Sequence, residues 1–128
     1  MIQMSGLIDV HAHILPGVDD GAKSMRETRE MLEMAWEQGI REIIATPHYV
    51  CGGNRCSAEE VREIVRQVQE EARAIDPEFY IYSGNEVLYF GSMTEDLREG
   101  RILTLGDSRY VLVEFCDNVS YREIFQAV

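Results

Sequence analysis

Positive charge is what this sequence has least of. Lysine and arginine total 12 against 23 aspartates and glutamates in 128 residues, giving a formal net charge of −11 and a pI near 4.6. A surface of that sign repels nucleic-acid phosphate, which argues against a nucleic-acid binder. It suits an anionic substrate no better unless bound cations reverse the sign locally. Long apolar runs are missing too: none approaches the roughly 18 residues of a membrane span. The first residues, MIQMSGLIDVH, set no basic stretch ahead of an apolar core, so no leader peptide is expected and the protein is placed in the cytoplasm. Cysteines number three, Cys51, Cys56 and Cys116, an odd count that offers no disulfide framework and leaves reduced thiols as the default. Repeats, low-complexity tracts and linkers are absent.

What is present is a soluble composition, 45% hydrophobic and 27% charged, sufficient for one domain with a modest core. Gly6 to Val10 (GLIDV) is a short apolar run expected to form a buried strand. Ser24 and Glu27 then fit a capping box, and Met25, Thr28, Leu32, Ala35 and Trp36 share one helical face up to a left-handed stop at Gly39. A second buried strand, Glu42 to Thr46, is halted by Pro47. Ser57 and Glu60 open another helix, striped by Val61, Ile64, Val65, Val68, Ala72 and Ile75 and closed by Asp76-Pro77. Phe79 to Glu86 reads as a third strand, residues 92–100 as a short helix ending at Gly100, and Tyr110 to Phe115 as a fourth strand. Ser120 to Val128 opens one more helix, with no glycine or proline to stop it. This strand–helix alternation predicts an α/β fold with a parallel sheet, either open or the beginning of a barrel. About four βα units fit in the chain, whereas a full (β/α) barrel commonly takes ~250 residues, so a partial domain over 1–128 is expected.

The polar residues cluster where those strands end. In an extended chain His11 and His13 face the same side and can hold one cation. Asp20 returns after the Pro16-Gly17 turn. His48 follows the second strand in ATPH, Glu86 ends the third in SGNE, and Glu114 interrupts the apolar run VLVEF. Taken singly, Asp19 and Asp20 are ordinary turn residues, Glu86 could be exposed, and a lone His-x-His is more often surface than ligand. Jointly, all three histidines and several acids meet at the strand ends where α/β proteins place their sites, and a metal centre is the expectation. Imidazole and carboxylate ligands suit manganese, iron or zinc, and so many acids suggest more than one ion, able to clamp a phosphoester.

Two cysteine alternatives are weaker. Cys56 and Arg62 have the spacing of thiol-dependent tyrosine phosphatases, but Glu59 and Glu60 between them would repel phosphate, and Ser57 is already a helix cap. A zinc site from His48, Cys51 and Cys56 lacks a fourth ligand. Tyr49 and Arg55 could touch substrate, although exposed loop positions are the plainer reading.

The ordered set DVHAHILPGVDDG, ATPH, GNEV and YVLVEF resembles the PHP (polymerase and histidinol phosphatase) superfamily. More narrowly it resembles the bacterial manganese-dependent tyrosine-protein phosphatases of capsular and exopolysaccharide biosynthesis, the CpsB/YwqE type, with HILPGVDDGA as the discriminating segment. The resemblance implies a distorted (β/α)7 barrel holding up to three metal ions, with manganese the first candidate. It implies His11 and His13 on the first ion, Glu86 bridging the first and second, Glu114 on the second, and Asp20 and His48 on the third. It also implies hydrolysis of phosphotyrosine by metal-activated water, without a catalytic cysteine, on a bacterial tyrosine autokinase as the protein partner. Members are about twice as long, so the 128 residues alone are expected to be nearly inactive. Competing readings are a non-catalytic metal-binding or regulatory module that pairs with another subunit, and an amidohydrolase-like hydrolase, which also uses His-x-His after its first strand.

Overall fold

The structure, a computed structural model, describes residues 5–128. Residues 1–4, part of the stretch read as lacking a leader, lie outside the described residues. Four strand-then-helix units follow in order. They are β1 (Leu7–Ala12) and α1 (Met25–Glu37); β2 (Ile40–Ala45), β3 (His48–Tyr49) and α2 (Ala58–Ile75); β4 (Tyr80–Ser83), β5 (Glu86–Leu88) and α3 (Met93–Arg98); and β6 (Leu112–Glu114) and α4 (Tyr121–Ala127). Among the described residues every strand pairing is parallel, as the alternation predicts. No helix there is long and apolar enough to cross a membrane.

The second and third expected strands are each broken, and this decides where the site forms. Pro47 has no N–H to give a ladder, so β2 stops and β3 starts beyond it. At the matching level Gly84 and Asn85 separate β4 from β5. Two three-stranded sheets result, ordered β1-β2-β4 and β3-β5-β6. The break is bridged rather than left open. The Glu86 N–H and the Asn85 side-chain amide both donate to the Pro47 carbonyl (3.0 and 3.1 Å), and Leu103 N–H donates to Asn85 Oδ1 at 2.7 Å. A Cβ on Gly84 would press on Leu105 and Ile44 at 3.0 and 3.1 Å, so glycine suits this jog.

Helices α1 and α2 cover one face of the first sheet. Their buried residues Thr28, Leu32, Val61, Val65, Val68 and Ala72 pack with Leu15, Ile43, Ala45, Phe79 and Ile81. Gly39 does close α1 in the left-handed region at φ +93°, donating to the Trp36 carbonyl. The α2 capping box is complete, whereas that of α1 is only half made. Glu27 N–H donates to Ser24 Oγ, but the Glu27 carboxylate accepts from Lys23 N–H at 2.7 Å instead of reaching the cap.

The expectation that β1 is buried is corrected. Ile8 and Val10 are 55% and 50% exposed, because β1 is an edge strand and helices cover only the opposite face. Ile8, Val10, Ile44, Tyr82, Tyr110 and Leu112 line a concavity of about 620 Å³ on that uncovered side. The fourth strand is shorter than expected, three residues, and α4 opens on a closed Ser120–Glu123 capping box.

Candidate metal centre

The centre is assembled from the ends of four elements and one turn. β1 runs further than its apolar core and carries His11 itself. The chain then turns back at Gly17 (φ +70°), whose N–H donates to the Ala22 carbonyl, while Ala22 N–H donates to the His13 carbonyl. Gly21 makes that return possible: a Cβ there would lie 2.1 Å from the His13 oxygen. Parallel register sets His48 on β3 opposite Glu86 on β5, and Glu114 on β6 pairs with the neighbouring Leu88.

These residues converge. His11 and His13 present Nε2 atoms 3.3 Å apart, and Glu86 Oε2 contacts His11 Nε2 and lies 3.9 Å from that of His13. His48 Nδ1 lies 3.2 Å from Glu86 Oε1 and 3.7 Å from Glu114 Oε2, and its Nε2 lies 3.2 Å from Asp20 Oδ1. The rings of His13 and His48 stack at 4.6 Å. Three overlapping groups emerge, each with ligand atoms within 4.8 Å of one another: His11, His13 and Glu86; His48, Glu86 and Glu114; and His13, Asp19, Asp20 and His48. The chemistry of this donor set fits divalent cations. Two imidazole nitrogens and a carboxylate oxygen aimed at one point satisfy one another poorly, and a hard or borderline ion satisfies all three.

The charges respond to one another. Burial by itself would raise the Glu86 pKa, but a hydrogen bond with Glu114 and the surrounding histidines hold it below the ordinary carboxylate value. Glu114 is displaced upward by the same hydrogen bond and by burial. One carboxyl therefore holds its charge at the expense of the other.

A family model for capsular polysaccharide synthesis proteins, CpsB/CapC, matches residues 7–128. The chain belongs to the CpsB/CapC family. Among relatives it is 39% identical over 118 residues to a tyrosine-protein phosphatase CpsB of Streptococcus pneumoniae, covering 92% of this chain and 49% of that protein. It is 38% identical over 109 residues to the tyrosine-protein phosphatase YwqE of Bacillus subtilis, covering 85% and 43%. A solved structure from work on YwqE and CpsB, described as unique metal-dependent tyrosine phosphatases, superposes with a TM-score of 0.86 at 36% identity, over 94% of this chain and 49% of that one. The chain thus spans about half the length of the relatives it matches.

In this CpsB/CapC chain all six residues singled out from the sequence lie in the three groups. Their surroundings differ from expectation. Glu86, which alone could have been exposed, is 5% exposed and begins a strand instead of ending one. Glu114, which interrupts the apolar run VLVEF, has a side chain 38% exposed, because β6 is a short edge strand. Asp20 is more open still at 79%.

Asp19, dismissed as a turn residue, carries more than expected. Its Oδ1 accepts from Gly21 N–H (2.9 Å), and its Oδ2 meets His13 Nδ1 (2.9 Å) and His48 N–H (3.1 Å). Against burial, which would raise it, these donors hold its carboxyl below the usual value. Nothing in the local pattern DD distinguishes the two acids. Tyr49 is likewise no exposed loop residue: it is 7% exposed and donates to Asp96, and burial together with that carboxylate pushes its pKa to about 12. Burial, reinforced by Glu60, raises the Cys56 thiol, the opposite of what a thiolate nucleophile needs. The three metal-compatible groups found among the described residues include no cysteine.

Proposed function

We propose that the protein is a metal-dependent phosphoester hydrolase, a protein-tyrosine phosphatase, built on a PHP-type distorted barrel. The observation that carries this reading is the convergence of all three histidines of the chain with Glu86, Glu114 and Asp20. It is supported by relatives described as metal-dependent tyrosine phosphatases. Manganese is the proposed ion, with iron or zinc compatible with the same nitrogen and oxygen donors. A phosphotyrosine protein, a bacterial tyrosine autokinase of capsule or exopolysaccharide synthesis, is the proposed substrate, and the cytoplasm the proposed location.

His11, His13 and Glu86 would hold one ion, Glu86 and Glu114 with His48 beside them a second, and Asp20 with His48 a third. Bound divalent cations would supply Lewis acidity and positive charge toward a phosphoester. The chain's own part is to fix the donors. Buried Glu86 faces both His11 and His48 and ties two groups into one cluster. Exposed Asp20 and Glu114 leave the cluster open to solvent on their side. With a net charge of −11 over the chain, bound cations would supply a local positive potential that the overall charge does not.

Elemental analysis after manganese loading tests the centre. His11→Ala and Glu86→Ala are expected to lower occupancy several-fold and Cys56→Ser to leave it unchanged. Loss confined to the cysteine variant would overturn the reading in favour of zinc at the loop. The reaction is tested on the protein at its natural length by manganese-dependent release of phosphate from a phosphotyrosine peptide, abolished by Glu86→Ala. An enzyme that cleaves amides and spares phosphoesters would sink it.

A further inference from the structure

We infer that Asp19 is a positioning residue of this centre and not one of its ligands: it locks His13 with the proton on Nδ1, so that Nε2 is the nitrogen turned to the cation. The geometry is specific. An ionised carboxylate only accepts, so at 2.9 Å from Asp19 Oδ2 the His13 Nδ1 must carry hydrogen. In the neutral ring that leaves a lone pair on Nε2, the atom set 3.3 Å from His11 Nε2 and 3.9 Å from Glu86.

The rest of the Asp19 carboxylate is committed. Gly21 N–H occupies Oδ1, His48 N–H shares Oδ2, and the side chain is only 9% exposed. Asp20, its neighbour, is 79% exposed and lies 3.2 Å from the His48 ring. One acid of the pair therefore faces inward to hold the frame, and the other faces outward to meet an ion. Asp19 also joins separate elements, because His13 belongs to the turn after β1 and His48 to β3. Carboxylates that orient ligating imidazoles in this way typically contribute about 10- to 100-fold in metal affinity.

The functional consequence rests on the metal-centre reading, whereas the tautomer does not. The experiment is nitrogen-15 NMR of the metal-free protein at its natural length, at a pH where the ring is neutral, with His13 assigned. The expected result is a His13 ring protonated at Nδ1, a preference lost in Asp19→Ala. Titrated with Mn²⁺, that variant is expected to bind about 10- to 100-fold more weakly than the parent. A parent ring protonated at Nε2 would overturn the inference, and so would an Asp19→Ala chain that keeps the Nδ1 proton and binds within twofold. With Zn²⁺ as a diamagnetic probe, loss of the His13 Nδ1–H signal would overturn it too, since Asp19 would have left the ring for the ion. Should the parent bind no divalent cation, the proposed function fails while the tautomer still decides the role of Asp19. Because the parent's own tautomer is diagnostic, the test does not depend on the variant folding.

Discussion

Gly21 shows how strictly single residues shape this centre. Its φ is ordinary, and its value lies in having no side chain: an added Cβ would sit 2.1 Å from the His13 carbonyl oxygen and 2.5 Å from its Cβ. Gly21→Ala must push the turn away from β1, and with it Asp19, whose Oδ1 is held by the Gly21 N–H. Overpacking of this kind costs about 1–3 kcal/mol. We predict an unfolding free energy from urea titration lowered by that amount, unchanged far-UV dichroism, and Mn²⁺ affinity reduced at least tenfold by calorimetry; wild-type affinity would show that the turn absorbs the methyl group harmlessly. At this scale the sequence was informative about which polar residues converge and poor about their surroundings. His11, His13 and His48 could be grouped from strand ends alone, but which of two adjacent aspartates turns inward depends on the His48 backbone, 29 positions away. The exposure of Glu86 and Glu114 was not legible for a similar reason: burial is set by what covers a strand, and an apolar run such as VLVEF does not say whether it lies at an edge.

At the scale of elements, the two N-caps that look alike in sequence are not alike. Ser57 and Glu60 satisfy each other reciprocally on α2, whereas Ser24 on α1 receives the Glu27 N–H without return. The Glu27 carboxylate serves Lys23 instead, one residue before the cap. Loss of an N-cap hydroxyl typically costs about 1 kcal/mol. Ser57→Ala should therefore destabilise by about that much in urea unfolding. Glu60→Gln should cost less, because an amide still reaches the Ser57 N–H, and Glu27→Gln should leave Ser24 capping intact. Equal losses in Ser57→Ala and Ser24→Ala, with equal sensitivity to the Glu60 and Glu27 changes, would mean that the reciprocal bond adds nothing. Helix existence was legible because periodicity and caps are local. Strand continuity was not. Pro47 announces a stop, but Gly84-Asn85 reads as the middle of a strand, and only its partner shows the reason. Asn85 fills the gap by bonding Pro47 and Leu103 from elements far apart in the chain. The β2–β3 and β4–β5 breaks then set His48 and Glu86 side by side in a second sheet, a placement that no single run of residues reveals.

Taken as a whole, the molecule is two small sheets joined across those breaks, with the candidate ligands drawn from both. His11 comes from the first sheet, and His48, Glu86 and Glu114 from the second. A cation shared by His11, His13 and Glu86 would cross-link the sheets directly. It would also relieve the crowding of carboxylates that, with the hydrogen bond to Glu86 and burial, displaces Glu114 upward in its titration. Binding to the folded state alone at a hundredfold excess over Kd adds about 2.7 kcal/mol. At this chain length that amounts to roughly 10 °C in Tm. We predict a manganese-dependent rise of that order by calorimetry, reversed by EDTA and sharply reduced in Glu86→Ala, which removes the residue shared by two of the three groups. His48→Ala should retain part of the rise, because the His11, His13 and Glu86 group survives it. The −11 net charge makes ionic strength a needed control, since salt alone relieves self-repulsion. A rise of equal size with sodium chloride at matched ionic strength, or one that persists undiminished in Glu86→Ala, would show that the ion acts on the acidic surface in general and not at this centre.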